Sequence, residues 1–249
     1  MNLEKKVAVV TSGTGGLGWD ICKKLAGAKM RIVLVYHNSA EKAAKYVSEL
    51  KGMGAEAVSV RADVTEETGI KAMMNTAISN FGSVDALVLS AAFNQWVPFA
   101  NVEELTPDIW NKIISCNLSS PFFAMRIIGQ EMKRRGCGRI VTVSSIAGLH
   151  PSGSSIAYAV SKAGLIHLTH CMAVALAPEV LVNGVAPGLM EGTRMTANLA
   201  PEYAEQSRRS TLLGKAAERY DVADAVRLFI ETDSITGQNL AVDCGKVFH

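Results

Sequence analysis

Hydrophobic positions along this 249-residue chain alternate between two spacings. Short, largely β-branched runs recur at Val7-Ala-Val-Val10, Arg31-Ile-Val-Leu-Val35, Ala57-Val-Ser-Val60, Ala86-Leu-Val-Leu89, Arg139-Ile-Val-Thr-Val143, Leu181-Val182 and Asn239-Leu-Ala-Val242. Between most of them the apolar residues fall at helical spacing, as from Trp19 to Ala26, Ala40 to Lys51 and Thr68 to Phe81. Strands without polar alternation are buried on both faces, and the helices between them supply the crossovers. The pattern predicts an α/β fold: a single Rossmann-type, doubly wound parallel sheet of about seven strands, with helices on both faces and a ligand crevice at the carboxyl ends of the strands. Neither a repeat nor a linker divides the chain, so residues 1–249 are expected to form one dinucleotide-binding domain. Only 188–215 lacks a clear strand; with Gly188, Gly192 and Pro201 it reads as a mobile helical substrate lid.

Composition narrows the function. The chain is 49% hydrophobic and 19% charged, which excludes a disordered chain. Area scaling at this size gives roughly 11,000 Å² exposed and about 70% of the unfolded surface buried. Twenty-five Lys and Arg against 23 Asp and Glu leave a net charge of +2, too little to neutralise phosphates on nucleic acid or an acidic membrane. The basic runs Lys133-Arg134-Arg135 and Arg208-Arg209 read as solvated helix ends. Cys22, Cys116, Cys137, Cys171 and Cys244 are scattered, with no C-x-x-C pair, as expected of reduced thiols in a cytoplasmic protein without a zinc site. The apolar run at Val7 is too short for a signal peptide, and no uninterrupted apolar run reaches the ~18 residues of a membrane span.

Two clusters carry chemistry. The first strand runs into Thr11-Ser-Gly-Thr-Gly-Gly-Leu-Gly18, after which helical spacing resumes at Trp19. Gly13, Gly15 and Gly18 fit G-x-G-x-x-G in a strand-turn-helix setting, where the backbone turns tightly and a pyrophosphate approaches a helix N-terminus. Farther on, Ser144-Ser145-Ile-Ala-Gly148 precedes a helix that carries Tyr158 and Lys162 and ends at Pro178. Residues four apart share a helical face. A phenol titrates near ~10, and an adjacent ammonium brings that value toward working pH. Ser145 can hydrogen-bond the same substrate oxygen that Tyr158 protonates.

Together these motifs resemble the short-chain dehydrogenase/reductase family over essentially the whole chain. The family's Thr-Gly-x-x-x-Gly-x-Gly falls on Thr11 to Gly18, its Asp-Val adenine contact on Asp63-Val64 and its Pro-Gly on Pro187-Gly188. Its catalytic Asn matches Asn117, its Ser matches Ser145, and its Tyr-x-x-x-Lys matches Tyr158 and Lys162. Within the family, 3-oxoacyl-carrier-protein reductases and related ketone reductases look closest. The resemblance implies reversible reduction of a ketone or 3-oxoacyl group, with Tyr158 as proton donor and Ser145 polarising the oxygen. Lys162 would lower the Tyr158 pKa and hold the nicotinamide ribose, and Asn117 would position a water that refills the proton. It implies cofactor contacts at Ser12, Gly13, Thr14, Gly15, Gly16, Leu17 and Gly18, at Asp63, Val64, Ser90, Ala91 and Ala92, and at Tyr158, Lys162, Pro187, Gly188 and Met190. A homotetramer, or a homodimer, built partly on the helix face around Ala163, Leu165, Ile166, Cys171 and Ala175 is also expected.

Three departures stand out. Ser12 replaces the first loop glycine, the family's Asn-Asn-Ala-Gly reads Leu89-Ser-Ala-Ala92, and its late Asp-Gly-Gly reads Asp243-Cys-Gly245. The second strand ends Val35-Tyr-His-Asn-Ser39 without the carboxylate an NAD site uses, so His37, Asn38 and Ser39 point to NADP, with NAD as the alternative. An enoyl reductase on the same fold, or a non-catalytic dinucleotide-binding sensor or scaffold, are the rival readings. His167 and His170 read as packing or interface residues rather than a metal pair. His150 lies in a loop expected to border the substrate, and Met190 and Met195 are expected to pack the lid.

Overall fold

The computed structural model describes residues 1–197 and 199–248. Seven strands, β1 (Val7–Val10), β2 (Arg31–Tyr36), β3 (Ala57–Arg61), β4 (Ala86–Leu89), β5 (Gly138–Val143), β6 (Val180–Pro187) and β7 (Asn239–Val242), form one sheet in the order β3-β2-β1-β4-β5-β6-β7. Every neighbouring pair is parallel. The order reverses between β1 and β4, and an open α/β sheet forms its crevice at such a switch point.

Side chains along a strand point alternately to the two faces, so β1 divides its apolar residues between two cores. Ala8 and Val10 pack with Ile32 and Leu34 against α1 (Gly16–Gly27), α2 (Ala40–Gly52) and α9 (Arg219–Glu231). Val7 and Val9 pack with Val33 and Val35 against α3 (Glu67–Phe81), the helical stretch of α4 (Pro107–Ile114), α5 (Ser120–Ala124) and α6 (Gln130–Arg134), and α7 (Ile156–Leu176). The accessible surface is 11,269 Å², in line with the scaling expectation. By length and composition alone α7 is apolar enough to cross a membrane, yet it buries Leu165, Thr169, Met172 and Leu176 and carries the buried Lys162.

Two boundaries differ from those expected. The sixth strand is eight residues long rather than the pair Leu181-Val182, because Asn183-Gly184 breaks its apolar run. Asn183 is nevertheless fully buried; its amide donates to Ile235 O (2.8 Å) and accepts from Gln238 N (3.0 Å), so a polar residue serves as core. The first helix begins at Gly16, not Trp19, placing Gly16 and Gly18 inside it. The expected lid contains a short 3₁₀ turn (Arg194–Thr196) and α8 (Pro201–Arg209). Asn198 of that segment lies outside the described residues.

Candidate active site

The glycine loop is built for close approach. Gly13 N donates to Val35 O (2.8 Å), fixing the loop on β2. A Cβ at Gly18 would stand 2.2 Å from Ser12 O, and one at Gly13 would stand 2.5 Å from Leu34 Cγ. Gly15 occupies the N-cap of α1 and brings no side-chain cap, so the first N–H groups and the dipole of the helix face the cleft ready for an anion. Ser12, in place of a glycine, takes a left-handed conformation at φ 55°, and Cys244, in place of another, does so at φ 60°. The altered loop after β4 is held by Thr11, whose Oγ1 donates to Val88 O (3.2 Å) and accepts from Ser90 N (2.8 Å) and Ala91 N (3.0 Å).

Every expected cofactor contact except Gly13 lines one continuous cleft of about 790 Å³, which also takes in Ser145. Gly13 supports the loop from beneath, against Leu34. At the adenosine end, Asp63 accepts from Thr65 N (2.9 Å) and Thr65 Oγ1 (2.6 Å), and these bonds hold its carboxyl below the usual range. His37 Nε2 stands 3.6 Å from the same carboxylate.

The reactive end is organised by two caps. Ser155 caps α7 by accepting from Tyr158 N (3.2 Å), which fixes Tyr158 in the first turn. Ser145 caps the next 3₁₀ turn by accepting from Ala147 N (3.2 Å). Burial raises the Tyr158 pKa above its ordinary value, and the Ser145 hydroxyl offsets only part of the rise. Lys162, also buried, is pushed down to about 8 by desolvation. Its Nζ donates to Val143 O (2.9 Å) and lies 5.7 Å from the centroid of the Tyr158 ring. Desolvation is the larger influence on the phenol here, and Lys162 stands one helical turn away on the same wall of the cleft.

Asn117 is placed differently from Tyr158 and Lys162. It is fully buried in a π-helical turn (Ser115–Ser119), and its side chain lies behind the cleft rather than in it. Its amide accepts from Phe93 N (2.8 Å) and donates to Phe93 O (2.9 Å) and Ser161 Oγ (3.1 Å). All these side-chain bonds are directed into protein and clamp the loop after β4 to α7. His150 faces Ser152 Oγ (3.2 Å) and does not line the cleft, whereas Ser152 and Ser154 do. His167 and His170 are exposed, and among the described residues no group of His, Cys, Asp or Glu could hold a metal.

The segment expected to be a lid lines the cleft through Met190, Met195, Leu199 and Tyr203, with Trp96 packed edge-on against Tyr203 (5.3 Å). Its base is tied down by Arg219, which donates to Asp20 Oδ2 (2.8 Å) and Gly192 O (2.7 Å). Sequence reasoning missed Lys42, Lys112, Arg194 and Lys246, all of which line the cleft. Only Lys42 carried a usable signal, standing one helical turn beyond Ser39.

Comparison with known proteins settles the family. The sequence profile of short chain dehydrogenases matches residues 6–204. The chain belongs to the short-chain dehydrogenase family. It is similar to a ketoacyl reductase assigned to the granaticin polyketide synthase of Streptomyces violaceoruber, at 37% identity over 97% of this chain and 96% of the relative. It is 32% identical to a 3-oxoacyl-[acyl-carrier-protein] reductase of Staphylococcus aureus, over 96% of this chain and 97% of that one. A crystal structure assigned as a gluconate dehydrogenase from Agrobacterium tumefaciens superimposes with a TM-score of 0.91 at 28% identity, covering 98% and 97% of the two chains. This dehydrogenase is an oxidoreductase of alcohol and carbonyl groups that uses a nicotinamide dinucleotide. The cleft fits that group: its glycine cradle leaves no room for a Cβ, and the bare N-terminus of α1 suits a pyrophosphate.

Proposed function

We propose that this dehydrogenase reduces a ketone or 3-oxoacyl group to a secondary alcohol, reversibly, with NADP(H). The observation that carries the reading is Tyr158, half-buried on the wall of the cofactor cleft with its pKa raised by desolvation, beside Ser145 and Lys162. When bound, the nicotinamide supplies the hydride. Tyr158 delivers its proton to the carbonyl oxygen, and Ser145 orients that oxygen. Lys162, mostly protonated below pH 8, holds the ribose. Asn117 keeps the loop after β4 and the Tyr158 helix in register. The lid over 188–215 closes on the substrate through Met195, Leu199 and Tyr203.

NADP is favoured because β2 ends in Tyr36 with no carboxylate following before α2, and because Lys42 joins His37, Asn38 and Ser39 at that end of the cleft. A 2′-phosphate meets a cation there, not a repelling acid. The names of the ketoacyl and 3-oxoacyl reductase relatives support the substrate class. Three residues between Tyr158 and Lys162 weigh against an enoyl reductase, and the Thr11 tether removes the loop departure as an argument for a sensor without turnover. The five free cysteines support a cytoplasmic site.

The enzyme assembles as a homotetramer. Phe122 (39% exposed), Val160 (44%) and Val174 (83%) give the α5 and α7 surface the apolar character of a face that a second copy covers. Ala163, Cys171 and Ala175 lie on the exposed side of α7, while Leu165, expected there, is 1% exposed and packs in the chain's own core. The test of function is kcat/KM for NADPH and NADH against one ketone. A clear NADPH preference supports the reading, and equal values or an NADH preference overturn its coenzyme half. Light scattering at micromolar concentration tests the assembly, which a monomer would refute.

A further inference from the structure

The charges around the cleft are unevenly placed. At its substrate end Lys112, Arg194 and Lys246 line it; among the described residues the carboxylate on its wall is Asp63, at the adenosine end. Lys246 is the half-buried one of the three, on the tail that follows β7. Asp243 holds that tail by accepting from Gly245 N (2.9 Å) and Val247 N (2.8 Å), and a Cβ on Gly188 would stand 2.9 Å from Asp243 Cα. Lys246 Nζ then reaches Ser207 Oγ on the lid helix (3.2 Å). Desolvation pulls the Lys246 pKa down and Asp243 offsets part of the fall. Arg194 and Lys112 stand at the rim, and both act on the thiol of Cys116, which lies on the same wall. Lys112 is further held over the Phe93 ring at 4.4 Å. Between these cations the walls are apolar: Phe93, Trp96, Met195, Leu199 and Tyr203.

The cofactor's own phosphates do not explain this arrangement. The adenosine end sits on β2 and β3 and the pyrophosphate cradle on β1, whereas Lys246 follows β7 at the far edge of the sheet. Four strand spacings separate β1 from β7, about 19 Å.

We propose that the substrate carries an oxyanion, a carboxylate or a phosphate, on an apolar arm away from the reacting carbonyl, and that Lys246 selects it. The proposal rests on the carbonyl-reductase reading and names the substrate class of that site. Ser207 orients the ammonium, and Arg194 and Lys112 raise the local concentration of anions at the entrance.

The test compares wild type, Lys246→Met and Lys246→Arg as full-length enzymes at saturating NADPH. Substrates are ketones bearing a terminal carboxylate at several arm lengths with their methyl esters, and 3-oxobutyryl thioesters of phosphopantetheine and of pantetheine. Wild type is expected to favour one anionic member over its neutral partner by about tenfold or more in kcat/KM, chiefly through KM. Lys246→Met removes that preference and leaves the NADPH KM unchanged; Lys246→Arg retains most of it. A carboxylate-only or a phosphate-only preference identifies the source of the anion. Wild type treating every pair alike, or Lys246→Met raising only the NADPH KM, overturns the proposal. Binding read by quenching of tryptophan fluorescence, with Trp96 in the cleft, separates the two readings. Anion-selective quenching that depends on Lys246, without turnover of any ketone, would defeat the reductase reading and uphold the anion site. Quenching indifferent to charge would defeat the anion site alone.

Discussion

Replacing Ser12 and Cys244 by glycine is expected to stabilise the protein. Both residues hold positive φ, 55° and 60°, in positions where an L side chain crowds the following carbonyl. A left-handed non-glycine residue costs about 1–2 kcal/mol, and glycine gives back roughly 0.5–1 kcal/mol through the freedom it gains in the unfolded chain. The side chains lost are nearly idle: Ser12 makes no side-chain hydrogen bond among the described residues, and Cys244 Sγ makes a weak one to Ala216 O (3.4 Å). The net gain is about 0.5–1 kcal/mol at each site. Ser12 follows β1 and Cys244 follows β7, four strands apart, so the two gains should add. For a chain of this size the double variant should melt about 2–8 °C higher, and its urea midpoint should rise with an unchanged slope. Calorimetry and urea titration of both single variants and the double decide it. A lower melting temperature in either single variant, or a double variant no better than the best single, would refute the strain argument.

Other outcomes follow from the same geometry. Gly18→Ala drives a methyl into Ser12 O at 2.2 Å and should destabilise the fold by about 1–3 kcal/mol while weakening coenzyme binding, read by melting and by NADPH titration. Lys42→Glu should raise the KM for NADPH about five- to tenfold and leave that for NADH within about twofold, as one charge reversal at an exposed site allows. Ketone reduction should lose rate as pH rises through about 8, where Lys162 loses its proton, while Tyr158, raised above its ordinary value, stays a donor. The sign for stability is opposite: a lysine depressed to about 8 disfavours the fold below that pH, and the penalty lifts between there and the ordinary value of 10.5. A pH profile in which Lys162→Met keeps the limb near 8 would contradict the assignment.

The sheet was legible because parallel strands buried on both faces leave unbroken apolar runs, as in β1, β2 and β4, while the half-exposed edge strands β3 and β7 keep short apolar stretches. The sixth was half hidden, since Asn183 is a core residue satisfied by Ile235 and Gln238, a pairing that only folding creates. The glycine loop and the Tyr158-Lys162 pair were legible because their chemistry is local: a turn, a helix terminus and one helical face. What escaped was set by distance in sequence. That the Asn117 amide ties Phe93 to Ser161 depends on residues 24 and 44 positions away. The phenol's environment depends on the desolvating walls that folding brings around it, which the local sequence does not show. Lys246 lies 88 residues beyond Tyr158 and enters the cleft only through the packing of Gly188 on Asp243.

The central claim is that Tyr158 delivers the proton in carbonyl reduction. Loss of NADPH absorbance on a ketone and 3-oxoacyl thioester panel, wild type beside Tyr158→Phe, tests it most directly. The substitution removes one hydroxyl and keeps the ring, so melting temperature and NADPH binding should stay close to wild type. Turnover of the best carbonyl substrate should fall by ~10²–10⁴. A Tyr158→Phe enzyme that folds, binds NADPH and keeps more than about a tenth of wild-type activity would contradict the account.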